Sequence, residues 1–395
     1  MPSSKRLNIR YILMQAAFWA AFAAICAYQA TLLLSRGFHN TEVGVIVALR
    51  CLAGVVAQPL LGSYADRHPD VPLKKIVSIC LGAAFFAGLA LMLPMGMVGT
   101  SILFIILGAL EISAYPLMDA MAVQFIQAGM KLSYSFGRGL GSLSYALVCV
   151  FLGFQAGRFG VESTLWTHSV LMVALILTVL TFPRFDPAWK GSRETVRKPK
   201  NAWRLLRDNP RFAAMLLGIL LGITAVLPMS NFLINIVRSR GGDEAHLGIA
   251  LFLMAASELP AALLFDRLYR RGRAGKLLVV SMVFMTLKAL LMIFTSAYWA
   301  VWLVQPIQML GYGLFTPASV LYVSDVIDPS DQVKGQTLMM VASNGLGGVM
   351  GSVVAGRALD LGGVNAMLWM CVALGAAATA VTALAAWSGG RAART

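Results

Sequence analysis

Six ionisable residues lie inside long apolar runs of the chain: Arg50, Glu111, Asp119, Arg138, Glu258 and Lys288. An ionisable group at bilayer depth costs at least about 2.5–3.5 kcal/mol on insertion scales, and by default it faces a cavity and marks a pathway. Half of the six are acids and half are bases, so they are able to neutralise one another. The alternative for each is a buried ion pair that only fixes helix packing. Carboxylates and guanidinium groups also suit a solute with several hydroxyls. A carboxylate accepts two such bonds, and Arg presents five donors in a rigid fork.

Depth along a helix, at a rise of 1.5 Å per residue, suggests partners. Asp119 precedes Lys131 by 12 residues and Arg138 follows it by 7, which puts both in the inner half of one bundle. Glu258 stands 8 residues outward from Asp266, and Lys288 stands 12 outward from Lys276. That is about 12 Å and 18 Å above the inner face. Arg50 is 16 residues outward from Asp66, with Glu111 as its acidic candidate.

The elements that must position these groups are twelve apolar runs, at 11–34, 42–64, 75–97, 100–125, 133–155, 164–183, 210–237, 246–265, 276–296, 299–324, 335–356 and 366–388. A bilayer core about 30 Å thick needs about 20 apolar residues per spanning helix. Backbone polar groups find no water there, so helices must carry the chain across. The composition agrees: 58% of residues are hydrophobic and 12% charged, whereas soluble domains carry about 25% charged residues. The class is an all-α membrane protein. The first run follows Lys5, Arg6 and Arg10, is too long for a signal-peptide core, and reads as a retained span.

Lys and Arg orient the spans. With both termini inside, the inner segments hold 24 of the 32 basic residues, the outer loops 5 and the spans 3. The positive-inside rule then places both termini in the cytoplasm, and the expected location is the cell inner membrane, as a multi-pass protein. The net charge of +15 sits in cytoplasmic loops facing anionic lipid, so the lipid bilayer rather than nucleic acid is its partner. The five cysteines have no metal-ligand spacing and read as small apolar packers. His39, His68, His168 and His246 fall in loops or at span ends and read as solvated or capping groups.

The longest hydrophilic stretch, 184–209, is rich in Lys and Arg and divides the chain into six spans plus six. The expected organisation is an N-terminal bundle over 1–183, a cytoplasmic basic linker over 184–209 and a C-terminal bundle over 210–395. The halves echo each other. Asp66-Arg67 closes span 2 before Lys74-Lys75, and Asp266-Arg267 closes span 8 before Arg270, Arg271 and Lys276. Internal repeats of this kind build the midplane sites of secondary transporters.

With these features the chain resembles the major facilitator superfamily. Twelve spans, inner termini, a basic central loop and the G-x-x-x-D-R-x(6)-K-K run from Gly62 to Lys75 carry the resemblance, which covers essentially the whole chain. It implies the major facilitator fold of two six-helix bundles with inverted repeats. It also implies a gating role for Asp66, Arg67, Asp266 and Arg267, against the plainer reading of ordinary charged turns. The runs Pro116-Leu117-Met118-Asp119-Ala120 and Phe136-Gly137-Arg138-Gly139-Leu140-Gly141-Ser142 look like the span 4/5 signature of the lactose-permease branch, which includes oligosaccharide, nucleoside and phenylpropionate proton symporters. By that resemblance Asp119 and Arg138 grip substrate hydroxyls and Tyr145 stacks on a ring. Glu258 matches the span 8 acid, Lys288 replaces an arginine in span 9, and Gln305 and Gln308 fall in the span 10 pattern. The substrate-binding residues implied are Asp119, Arg138, Tyr145, Glu258, Gln305 and Gln308.

The pattern also breaks. In that branch a Lys, a His and a Glu of span 10 handle protons; the aligned positions here are Gln305, Gln308 and Gly311, none of which titrates. Proton coupling therefore falls to Glu258 with Lys288. No Gly-rich run ends in Gly-Lys-Ser/Thr, which argues against an ATP-driven pump. No zinc motif or catalytic triad is present in the sequence, so no enzyme activity, catalytic residue, metal or cofactor is expected. The expectation is a secondary transporter of a small polar organic solute, sugar or nucleoside favoured, with a proton as co-substrate. An exporter of amphipathic compounds and a non-transporting receptor or assembly factor of the same fold are the alternatives. No oligomer is evident from the sequence.

Overall fold

Apolar residues dominate every long helix of the chain, and what divides these helices is local chemistry. The computed structural model describes residues 3–185, 202–269 and 274–392, without the side chains of 262, 263, 266, 330 and 388–392. The helices are α1 (Ser4–Cys26), α2 (Gln29–Ser35), α3 (Asn40–Arg67), α4 (Leu73–Ala90), α5 (Met97–Leu107), α6 (Ser113–Gln127), α7 (Tyr134–Phe159), α8 (Ser163–Thr181), α9 (Ala202–Asp208), α10 (Pro210–Asn231), α11 (Leu233–Ser239), α12 (Glu244–Leu268), α13 (Ala274–Ile293), α14 (Tyr298–Val304), α15 (Tyr312–Val326), α16 (Gln332–Met340) and α17 (Gly348–Ala392). Among the described residues there is no strand.

Nine helices of the described residues are long and apolar enough to cross a membrane. They reconcile with twelve spans. Gln332–Trp387 is two spans, broken at Gly363, whose φ of 69° only glycine adopts readily. The helix α12 carries charge, and the span 298–326 is interrupted. That interruption corrects the expectation of one continuous helix at 299–324. Pro306 cannot donate a backbone bond, so Gln305–Met309 tightens to a 3-10 turn between α14 and α15. The first span is likewise divided, at Ala27-Tyr28, between α1 and α2. In the fourth, a π turn over Gly108–Ile112 joins α5 to α6.

The fold is that of a polytopic membrane protein with two six-helix bundles, and its contacts fall into two compact units. The first is Met1–Phe38 with Leu49–Glu194, and the second is His39–Ala48 with Thr195–Thr395. Residues 39–48, which lead into and open α3, cluster with the second unit, where Asp360 of α17 binds them. Its Oδ1 accepts from the Asn40 side-chain amide at 2.8 Å, and its Oδ2 accepts from the Thr41 backbone N–H at 2.7 Å. The greater part of the expected linker at 184–209 lies outside the described residues; α9 forms its last turns.

Within the first unit α1 packs on α7 and α8, and α4 packs on α8 and α6. Leu7, Met14 and Phe18 of α1 are buried there. The opposite faces keep large apolar side chains exposed, such as Phe86 at 69%, Phe151 at 58% and Trp166 at 66%. Such faces suit lipid rather than water. In the second unit α10 and α13 pack on α17, and α12 packs on the 3-10 turn.

Candidate solute-binding and coupling sites

The first site forms around Asp119 on α6, one turn after Pro116. Proline frees the carbonyl four residues back, and that Ile112 oxygen accepts from Gln58 Nε2 at 3.1 Å. Asp119 Oδ1 accepts from Gln15 Nε2 at 2.8 Å, and Oδ2 accepts from the Tyr134 hydroxyl at 2.9 Å. Arg138 Nη1 stands 3.5 Å from Oδ2 and donates to the Tyr134 oxygen at 3.3 Å. The Arg138 side chain is 46% exposed, so its remaining donors are free to meet a solute. Its guanidinium lies 5.6 Å from the centre of the Tyr115 ring and 5.8 Å from that of Tyr134.

Aromatic rings line this site. Tyr11 stacks on Tyr134, and Trp19 meets Tyr115 and Tyr145 edge-on. Tyr11, Gln15 and Trp19 recur every four residues along one face of α1. Gly137 and Gly141 of α7 make room for them, since a Cβ at either would collide with the Tyr11 or Trp19 ring. Gln15 is fully buried, and its Oε1 has no hydrogen-bond partner among the described residues. A charge-assisted acceptor, a forked donor and aromatic faces together are able to hold a ring that carries hydroxyls.

The second site lies in the other unit and is a hydrogen-bonded chain. Lys288 Nζ on α13 donates to Gln308 Oε1 at 2.8 Å, and Gln308 Nε2 donates to Glu258 Oε1 at 3.1 Å. Lys288 is 3% exposed, so its charge sits in the protein interior. The 3-10 turn that carries Gln308 is what turns its amide between the two charges. Gln305 of the same turn is fully buried, with neither amide atom bonded among the described residues.

A third polar cluster lies in the first unit. Arg50 Nη2 donates to Glu111 Oε2 at 3.1 Å, Arg50 Nη1 donates to Gln29 Oε1 at 3.1 Å, and His168 Nε2 is 2.8 Å from Glu111 Oε1.

The model of the MFS_1 like family matches residues 6–369. The chain belongs to that family, within the major facilitator superfamily. This facilitator is 24% identical over 376 residues to a maltose permease of Geobacillus stearothermophilus, covering 92% of this chain and 91% of the permease. It is 24% identical over 340 residues to multidrug resistance protein 1 of Bacillus subtilis (strain 168), covering 84% of each. The solved nucleoside transporter NupG shares its fold, with a TM-score of 0.78 at 17% identity over 98% of each chain. The protein is thus a multi-pass membrane transporter of small molecules and not an enzyme.

The other residues singled out in the sequence take the following places. Glu258 and Lys288, expected as neighbours, are bridged by the Gln308 amide. Tyr145 lies edge-on to Trp19, while the rings beside the Arg138 guanidinium are Tyr115 and Tyr134. Asp66 and Arg67 end α3 exposed, and Arg267 is exposed on α12; the Asp266 side chain lies outside the described residues. His168 is corrected outright. It lies in α8 at 0% exposure, because one face of that helix packs on α1 and α4 even near its end. His246, by contrast, completes a capping box with Asp243 at the start of α12. Gln15, Tyr11, Trp19, Tyr115 and Tyr134 were not singled out in the sequence. The readable signal was Gln15, a polar residue in an apolar run at four-residue spacing from two aromatics.

Proposed function

We propose that this facilitator is a secondary active transporter of a small polar solute, a sugar or nucleoside, across the inner membrane. It works by alternating access with both termini cytoplasmic, and a proton accompanies the solute. The observation that carries this reading is Asp119. Its two oxygens are held by Gln15 and Tyr134, Arg138 stands beside it, and aromatic rings surround it. Hydroxyls of a solute bond to the carboxylate and guanidinium, while a ring's apolar face meets the aromatics. The maltose permease and NupG, by their names, act on solutes of these two classes.

For the proton we propose Glu258, linked through Gln308 to Lys288. Protonating the acid breaks no helix contact, and it changes the charge of a largely buried chain by one unit. Asp66, Arg67, Asp266 and Arg267 are proposed to tune the conformational equilibrium at the cytoplasmic helix ends.

A thermal-shift panel on the purified protein tests the substrate class, with disaccharides, nucleosides, aromatic acids and cationic dyes on wild type and Asp119→Asn. A ligand at 100 times its dissociation constant adds about 2.7 kcal/mol of stability. A sugar or nucleoside shift that disappears in Asp119→Asn supports the reading. A shift with dyes alone, indifferent to Asp119, favours export of amphipathic compounds, the reading that likeness to multidrug resistance protein 1 supports.

A further inference from the structure

The Arg50–Glu111–His168 cluster is not used by either site above, yet much local structure is spent on it. Glu111 projects from the π turn over Gly108–Ile112 rather than from regular helix, and such single π turns often mark functional positions. Gly108 lets that turn lie against the Arg50 backbone, where a Cβ would collide. Gly88 of α4 leaves room for the His168 imidazole, which a Cβ would also strike. Arg50, Glu111 and His168 are 1%, 2% and 0% exposed. The Arg50 guanidinium lies 5.2 Å from the centre of the Phe22 ring.

The bonding determines the tautomer. A carboxylate only accepts, so His168 Nε2 carries the hydrogen donated to Glu111. Nδ1 is fully buried with no partner among the described residues, so a hydrogen there would have no acceptor, and the neutral ring with a lone pair at Nδ1 is the form that fits. In this form the cluster carries Arg50 positive, Glu111 negative and His168 neutral, with no net charge.

We propose that His168 Nδ1, in the cluster with Glu111 and Arg50, is a proton-binding site of the first unit, separate from Glu258. Its role in transport rests on the proton-coupled reading above. One N–H bond forms at Nδ1 and none breaks. The imidazolium keeps its bond to Glu111, and the cluster passes from zero to one positive charge. A net charge is costly in a cluster buried this fully. Proton binding therefore favours any conformation that admits water to it, and by linkage that conformation binds the proton more tightly.

Other groups on the packed elements do not replace this role. Cys26 of α1 and Cys51 of α3 lie near Arg50, Cys149 is on α7, and Cys80 is on α4 beside α8. Arg36, just past α2, is paired with Glu162 before α8, and Lys74 of α4 donates to the Phe182 oxygen past its other end.

The test is histidine-selective 13C/15N NMR on the full chain in lipid nanodiscs, scanned from pH 9 to pH 5. The chain has four histidines, so His168→Gln assigns the resonance. A chain with His39, His68 and His246 replaced by Asn assigns it independently. The expected result is a neutral Nε2–H ring at pH 9 that becomes doubly protonated within the scan. In Glu111→Gln, which leaves Arg50 as the sole charge, the transition should no longer occur where it does in wild type. A ring that stays neutral to pH 5, or a transition that Glu111→Gln leaves in place, overturns the proposal. Since Gln keeps an N–H donor to Glu111, His168→Gln should also flatten the acid side of the pH profile of solute exchange; an unaltered profile contradicts the transport role. The NMR arm needs no solute, so failure of sugar or nucleoside transport would leave it standing, and the reverse holds too.

Discussion

Arg138 Nη1 lies 3.5 Å from Asp119 Oδ2, and the Tyr134 hydroxyl bonds to both side chains. The acid is thereby fixed in position while the arginine remains half open. Charge-assisted bonds are worth about 1.5–3 kcal/mol. Asp119→Asn keeps the shape but loses the charge, and solute affinity should fall about 10-fold to 100-fold with little change in unfolding temperature. Equilibrium binding of the solute found by the thermal panel measures this.

Glu258 and Lys288 both hold Gln308, so an amide in place of the acid preserves the hydrogen-bonded chain. Glu258→Gln should therefore abolish uphill accumulation driven by a pH gradient and leave counterflow exchange running. Parallel accumulation and counterflow assays in proteoliposomes separate the two. Accumulation that persists in the variant removes Glu258 from the coupling step.

Glu111 is the only acid bonded to the fully buried Arg50 among the described residues. Removing one partner of a buried pair costs about 3–5 kcal/mol, because the other charge is left unpaired. Glu111→Ala should lower the unfolding temperature sharply. The double change Arg50→Met with Glu111→Met should recover much of that loss, which thermal unfolding in one detergent will show.

Asp243 caps α12 by accepting from the backbone N–H groups of Ala245 and His246, and its side chain meets His246 Nδ1 at 2.6 Å. Partial desolvation raises its pKa, but the hydrogen bonds and charge of His246 and the Ala245 bond outweigh it, and the net shift is downward. A depressed acid stabilises the fold above its unfolded value, about 3.9, and that contribution is lost as pH falls through the folded value. Asp243→Ala should cost about 0.5–2 kcal/mol at neutral pH. The difference from wild type should shrink below about pH 4, as read by unfolding at both pH values.

The fold was largely legible because lipid imposes length and apolarity on every span, so charge inside a run stands out at once. The breaks were harder to read: Pro306 removes a backbone donor but does not say how the turn closes, and nothing in the apolar runs marks Tyr28 or the π turn at Glu111. The acids and bases of the candidate sites were visible as charges. Gln15, Tyr134 and Gln308 were harder to place, because an amide or a tyrosine in an apolar helix looks alike whether it faces lipid, core or a solute. His168 misled for a related reason: depth along the helix placed it near an end, and only packing shows which way the ring faces.

The most direct measurement is uptake of radiolabelled disaccharides and nucleosides into proteoliposomes, with and without an imposed pH gradient, for wild type and Asp119→Asn. The account predicts saturable uptake of one such solute, driven above equilibrium by the gradient and lost in Asp119→Asn. Saturable transport of cationic dyes alone, equal in both proteins, would contradict it.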